Sequence, residues 1–142
     1  MRIADVIKRK GEDVVTVRPE ATVSDLLALL AEHGIGAVVV SGDGSGVEGI
    51  VSERDVVRRL HSEGAGLLEG PVSAIMTVDV HTCTPEDSLE DMALRMTDRR
   101  IRHVPVVVDD ALAAIVSIGD IVKIRLDTLQ AERDQLRDYI QQ

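Results

Sequence analysis

Arg102-His103-Val104-Pro105-Val106-Val107-Val108, followed by Ala114-Ile115-Val116-Ser117-Ile118-Gly119-Asp120, is the stretch that decides how this chain is read. An earlier stretch repeats its pattern: Gly36-Ala37-Val38-Val39-Val40, followed by Gly49-Ile50-Val51-Ser52-Glu53-Arg54-Asp55. Each joins two apolar, β-branched runs to a Ser-x-x-Asp turn, which reads as two strands and the start of a helix.

The correspondence extends outward on both sides. Pro19-Glu20 matches Pro85-Glu86, Leu26 matches Met92 and Ile35 matches Ile101, all 66 residues apart. Beyond the turn between the strands the spacing is 65, so Ile50 matches Ile115, Ser52 matches Ser117 and Asp55 matches Asp120. The lost residue lies where Ser41–Gly46 gives way to Asp109-Asp110. Ile3-Ala4-Asp5-Val6-Ile7 resembles Val72-Ser73-Ala74-Ile75-Met76, and internal duplication is the economical explanation.

Each copy predicts the same elements. A short β stretch (Val14–Val17; Val80–Thr84) leads through proline into a helix. The helix presents one apolar face, from Val23, Leu26, Leu27 and Leu30 in one copy and Leu89, Met92, Ala93 and Met96 in the other. Thr22-x-x-Asp25 and Ser88-x-x-Asp91 mark the starts of these helices. Two strands follow, Ala37–Val40 with Val47–Val51, and Val104–Val108 with Leu112–Val116. A second helix then begins at Ser52 and at Ser117.

The expected fold is therefore α+β, a β-α-β-β-α unit occurring twice. Residues 1–62 form the first repeat, 63–71 a glycine-containing linker ending at Pro71, and 72–126 the second repeat. Neither half is long enough to bury much surface alone, so the two should pack sheet against sheet with approximate twofold symmetry and paired sites. Residues 127–142 extend the last helix. There Val122, Leu126, Leu129, Leu136 and Ile140 alternate spacings of four and three, with Arg133 in the remaining position. Such a row either packs on its own domain or joins two chains.

Composition excludes several functions. The formal net charge is −9 and aromatics make up 1% of 142 residues, Tyr139 alone. Nucleic-acid binding needs neutralised phosphates and stacked bases, so it is not expected. No run approaches the roughly 20 apolar residues of a membrane span, and a single cysteine, Cys83, forms no disulfide framework. The cytoplasm is the default location. No Ser/His/Asp set, GxGxxG or Walker loop is present, so no enzyme is expected. His81 and Cys83 alternate along a predicted strand and would face one side together; two ligands are too few for a zinc site, and a partly buried structural cysteine is expected.

The Ser-x-x-Asp turns admit two readings. Taken alone they are capping devices, as at Thr22 and Ser88. Ser52/Asp55 and Ser117/Asp120 differ by lying where a buried strand gives way to a helix, a place suited to an anion and to an acid that holds a ribose diol. Arg99, Arg100, Arg102 and His103, with Arg54, Arg58 and Arg59, are the concentrated positive charge, either a solvated face or phosphate contacts. Pro105 lacks an N–H, so its strand has an open side: a groove for a flat ligand or edge protection.

At these residues the chain resembles a tandem CBS-domain pair, or Bateman module, over nearly its whole length, from Ile3 to about Leu126. The resemblance implies a stand-alone regulatory module with two clefts for AMP, ADP, ATP or S-adenosylmethionine as regulatory ligands, with no cofactor required. It implies ribose-binding acids at Asp55 and Asp120, and hydroxyls near ribose or phosphate at Ser52 and Ser117. It places the adenine walls around Thr16, Val17, Thr84, Ala37 and His103. A homodimer and an unidentified regulated protein are the implied partners, and an interaction protein with empty clefts is the alternative. The copies differ: Val39 stands where the other has Pro105, Gly36-Ala37 where it has Arg102-His103, Gly49 where it has Ala114, and Arg54 where it has Gly119. The clefts should therefore differ in affinity.

Overall fold

A computed structural model describes residues Met1–Gln142. The chain runs α1 (Ile3–Lys10), β1 (Thr16–Val17), α2 (Val23–His33), β2 (Ala37–Val40), β3 (Gly49–Ser52) and α3 (Glu53–Glu63). After two short 3₁₀ segments, Ala65–Glu69 and Val72–Ala74, come α4 (Leu89–Arg99), β4 (His103–Val108), β5 (Ala111–Ser117) and α5 (Ile118–Gln141). The mixed α and β architecture with a long terminal helix agrees with the sequence reading.

In the first copy β1 lies parallel to β2, with Thr16 opposite Val39, and β2 pairs antiparallel with β3. In the second, β4 and β5 pair antiparallel with His103 opposite Ser117. The strand expected over Val80–Thr84 is absent and leaves one parallel bridge, Cys83 to Val106. Pro105 accounts for this. Cys83 N–H donates to Pro105 O at 3.0 Å and Val107 N–H donates to Cys83 O at 2.8 Å. The next donor along that side is the nitrogen of Pro105, which carries no hydrogen, so the ladder stops. Val39, which stands in that place in the first copy, permits the second pair there.

Two cores form, and each borrows from outside its own repeat. Ile3 and Val6 of α1 pack with Leu89, Met92, Met96, Val104 and Val116 of the second copy. Leu67, Val72 and Ile75 pack with Val23, Leu26, Val38 and Val51 of the first. The backbone repeats the exchange. Ile3 N–H donates to Asp87 O at 3.0 Å and Ala4 N–H to Pro85 O at 2.9 Å. Correspondingly, Val72 N–H donates to Ala21 O at 2.8 Å and Ser73 N–H to Pro19 O at 3.0 Å. The stretch read as a linker is thus partly core: Leu67 is buried in the first copy.

α5 divides into two parts. Ile121 and Ile124 are buried against the second core, and Arg9 of α1 pairs with Asp127 at 2.8 Å. The apolar row lies on a different face, with Leu126 55% exposed and Leu136 63% exposed. From Leu129 onward every residue is exposed, so the row does not pack on its own domain.

Because α1 completes the second core, Ile3→Ala is expected to cost about 3 kcal/mol, the usual loss for a fully buried aliphatic side chain. Urea denaturation of the two proteins checks this. A cost under about 1 kcal/mol would mean α1 is only loosely docked.

Candidate functional site

The two turns singled out from sequence are both built as capping boxes. Ser52 N–H donates to Asp55 Oδ2 at 2.8 Å, and Asp55 N–H donates to Ser52 Oγ at 3.4 Å. In the second copy Ser117 N–H donates to Asp120 Oδ2 at 2.9 Å, and Asp120 N–H to Ser117 Oγ at 3.1 Å. Thr22/Asp25 closes in the same way, whereas Ser88/Asp91 keeps only the hydroxyl contact. Capping therefore uses one oxygen of Asp55 and one of Asp120, and leaves Oδ1 of each free of protein donors. What separates the two turns is their surroundings.

Around Asp55 the two halves enclose an open cleft of about 820 Å³. The first copy contributes Gly36, Ala37, Ile50 and Ser52–Asp55, with Val57 and Arg58 from the next turn of α3. The segment before Cys83 contributes Thr77, Asp79, Val80 and His81, and the second copy contributes Arg99, Arg100, Ile101, Arg102 and His103. Five arginines thus face one cleft in a chain of net charge −9. None of the five has a carboxylate within 4.0 Å, although other arginines of the chain are paired. Arg99 Nη1 lies 3.0 Å from His81 Nε2; a guanidinium only donates, so this imidazole nitrogen accepts.

Arg100 is the C-cap of α4 at φ 55°, a left-handed conformation, where the first copy has Gly34 at φ 61°. A non-glycine residue there is strained. Arg100 at this position is one of the residues lining the cleft.

Around Asp120 the arrangement is different. Lys10, the last residue of α1, directs its Nζ to Asp120 Oδ2 at 2.7 Å and to Ile115 O at 2.9 Å. Burial alone would raise the Asp120 carboxyl, but the Lys10 hydrogen bond, the Ser117 backbone N–H and the ammonium charge outweigh it and hold the group below its ordinary value. No comparable cation touches Asp55. Ile50 O instead accepts the backbone N–H of Thr77 at 2.9 Å.

His103 sits between the two turns. Burial, then the charge of Lys10, lowers its pKa; Asp120 and Glu53 oppose that and Arg102 adds to it. Gly36 explains how the parts fit: a Cβ there would lie 3.3 Å from Glu53 Oε1 and 3.9 Å from His103 Cε1.

Of the residues named from sequence, the cleft brings together Ala37, Ser52, Arg54, Asp55, Arg102 and His103. Ser117 and Asp120 lie apart, with Lys10. Thr16, Val17, Thr84 and Pro105 do not line the cleft. Strand alternation turns Val17 and Cys83 into their cores, Pro105 is buried within β4, and Thr84 N–H is engaged by Asp87 Oδ2 at 2.9 Å. The chain reaches the cleft before Cys83, at Val80 and His81, rather than after it. Thr77, Asp79 and Lys10 gave no signal, because their roles depend on exchanged segments. His81 and Cys83 do not share a face either. His81 opens to the cleft, while Cys83 is buried, its thiol pushed up to about 12 chiefly by burial.

The half-buried imidazole has a pH consequence. His103 is harder to protonate folded than unfolded, so stability falls as pH drops below about 6.5, where the unfolded chain gains the proton first. Asp120, held low, adds its own loss only further down, through the carboxylate range. His103→Gln is expected to flatten the first limb and leave the second. Urea midpoints over a pH series read both limbs. An unchanged slope below pH 6.5 would assign it to another histidine.

Comparison with known proteins agrees with this architecture. The CBS domain family matches residues 3–62 and again 72–127. The chain is 35% identical to the mitochondrial CBS domain-containing protein CBSX3 of Arabidopsis thaliana, over 98% of this chain and 71% of that one. The structure superposes on the CBS-domain protein ATU1752 of Agrobacterium tumefaciens with a TM-score of 0.85 and 43% identity, over 88% of this chain and 99% of that one. It also shares its fold with the CBS domain pair of protein MJ0100, crystallised with 5-methylthioadenosine and S-adenosylmethionine. That pair gives a TM-score of 0.78 at 21% identity, over 90% of this chain and 98% of the other. With both repeats matched over most of its length, the chain belongs to the CBS-domain family.

Proposed function

We propose that this protein is a regulatory module that senses adenosine nucleotides (AMP, ADP or ATP) in the cleft beside Asp55 and signals by changing how its halves pack. One observation carries the reading: five arginines without carboxylate partners converge on the same cleft as a helix-start aspartate that keeps one oxygen free. Charge-assisted hydrogen bonds from guanidinium to phosphate are strong and oriented. The free Asp55 oxygen accepts from ribose hydroxyls, and Ala37, Ile50, Val57 and Val80 offer aliphatic contact for a base. The MJ0100 pair, with two adenosine compounds bound, supports the ligand class. S-adenosylmethionine carries a sulfonium and suits this cationic cleft less well than a phosphate ester does.

A second reading rests on α5. Its last turns are exposed, and a helical overhang of about a dozen residues is marginal alone. The row Val122, Leu126, Leu129, Leu136 and Ile140 suits pairing with a second copy, which makes a homodimer the natural assembly. Dimer formation and sensing are compatible. In the purely structural version the cleft stays empty and the partner reads α5 alone.

Calorimetry separates these readings. ATP should bind more tightly than AMP, and both more tightly than S-adenosylmethionine, with affinity falling steeply as salt is added. Asp55→Ala should weaken AMP about tenfold or more by removing a charged hydrogen-bond acceptor. Arg100→Gly should stabilise the fold by about 1 kcal/mol through relief of its backbone, yet weaken ATP more than adenosine. No heat or thermal shift with any adenosine compound at millimolar concentration would leave only the structural version. For α5, truncation after Leu126 should convert a dimer to a monomer in sedimentation; a dimer that survives it is held elsewhere.

A further inference from the structure

Resting on the nucleotide-sensing reading, we propose that Lys10 is a built-in occupant of the second half-site. The chain then takes one nucleotide, at Asp55, and the Asp120 half-site opens only when that ammonium is withdrawn.

The geometry is specific to the second copy. Asp120 Oδ2 already accepts the backbone N–H of Ser117 at 2.9 Å, and Lys10 Nζ adds a second donor at 2.7 Å. A ribose diol also approaches as a donor; Oδ1 has no protein donor, but the ammonium on Oδ2 already offsets the carboxylate charge that such a donor would be drawn to. Nζ is anchored at a second point, Ile115 O, at 2.9 Å. The corresponding carbonyl in the first copy, Ile50 O, is capped by the main-chain N–H of Thr77 at 2.9 Å, which leaves Asp55 clear of any side-chain cation.

Helix length explains the difference. α1 has eight residues and ends in Lys8, Arg9 and Lys10, whereas the matching segment of the other copy is a 3₁₀ turn of three, Val72–Ala74. The additional turns of α1, fixed by Ile3 and Val6 in the second core and by the Arg9–Asp127 pair at 2.8 Å, carry Lys10 to the turn at Asp120. The second half-site has Gly119 where the first has Arg54, and Lys123 where the first has Arg58. The ammonium stands in for the donors a ligand would bring. Lys10 and Asp120 keep 35% and 27% of their side-chain surface exposed, so the contact is accessible to exchange rather than sealed.

Titration calorimetry of the full chain with AMP tests this by counting sites. Wild type should bind one AMP per chain, and Asp120→Asn should leave that site unchanged within about twofold, as expected for separate sites. Lys10→Met and Lys10→Gln, which keep the stem of the side chain and remove its charge, should each add a second, weaker AMP. Combining either with Asp120→Asn should return the count to one. Two AMP sites in wild type, or a single site in both Lys10 variants, would overturn the proposal while leaving nucleotide sensing intact. A Lys10 variant that weakens the first site would make the ammonium a nucleotide contact and overturn it equally. No AMP binding by any of these proteins would remove the sensing reading and this one with it.

Discussion

The structure depends on an exchange of short apolar segments. Ile3 and Val6 precede the first repeat yet complete the core of the second; Val72 and Ile75 precede the second yet complete the core of the first. A half of about 60 residues has too little apolar surface to stand alone. Here neither half is asked to. Each core draws fully buried side chains from a segment outside its own repeat, which ties the two halves together. The same exchange positions the candidate site. Thr77, Asp79, Val80 and His81 reach the cleft because the backbone leaving Val72 and Ile75 must cross the edge of β3, where Ile50 and Thr77 exchange hydrogen bonds. Lys10 reaches Asp120 because α1 is docked on the opposite core.

The approximate symmetry is broken at a few residues, and each break has a physical effect. Pro105 in place of Val39 ends the parallel pairing in the second copy, so the chain before Cys83 is free to line the cleft instead of forming a strand. Arg100 in place of Gly34 accepts a left-handed backbone to place a charge there. Gly36 in place of Arg102 makes room for Glu53 beside His103. These changes concentrate cations on one side of the duplication. Electrostatically the result is one open, positively charged cleft and one carboxylate already neutralised by a lysine.

Most of the repeated unit was legible because it rests on local signals. The apolar faces of α2 and α4, the β-branched runs of β2–β5 and the Ser-x-x-Asp helix starts depend on spacing alone, and they lie where spacing puts them. The Val80–Thr84 stretch misled because strand character needs a partner, and the partner's proline withholds it. Within the 63–71 segment, read as a linker from its glycines, only the burial of Leu67 had no local signal, because it is decided by a distant core. Among site residues, those on the helix starts and on the Arg102-His103 pair were readable from chemistry at a turn. Thr16, Val17 and Thr84 were drawn from resemblance and Pro105 from its missing N–H; Val17 turns into its core, Pro105 is buried within β4, and Asp87 engages the Thr84 backbone. Lys10 was invisible, since nothing in its neighbourhood announces a contact 110 residues away.

The same asymmetry bears on how such a module would respond to a ligand. Arg54 and Arg58 belong to the first copy; Arg99, Arg100 and Arg102 belong to the second. With the cleft open to water, these charges face one another across the halves and repel, though salt and solvent keep the cost modest. A phosphate group reverses the sign of that interaction. Both sides are then attracted to one shared anion, and the attraction grows as the cleft narrows. On the proposed reading, a nucleotide would therefore bind the closed arrangement more tightly than the open one, which is the differential affinity that a conformational switch requires. Adenosine without phosphate lacks this leverage, however well its base is held. The exchanged segments limit how far the halves can separate, so the proposed response would be a change of angle between two tethered cores rather than their dissociation.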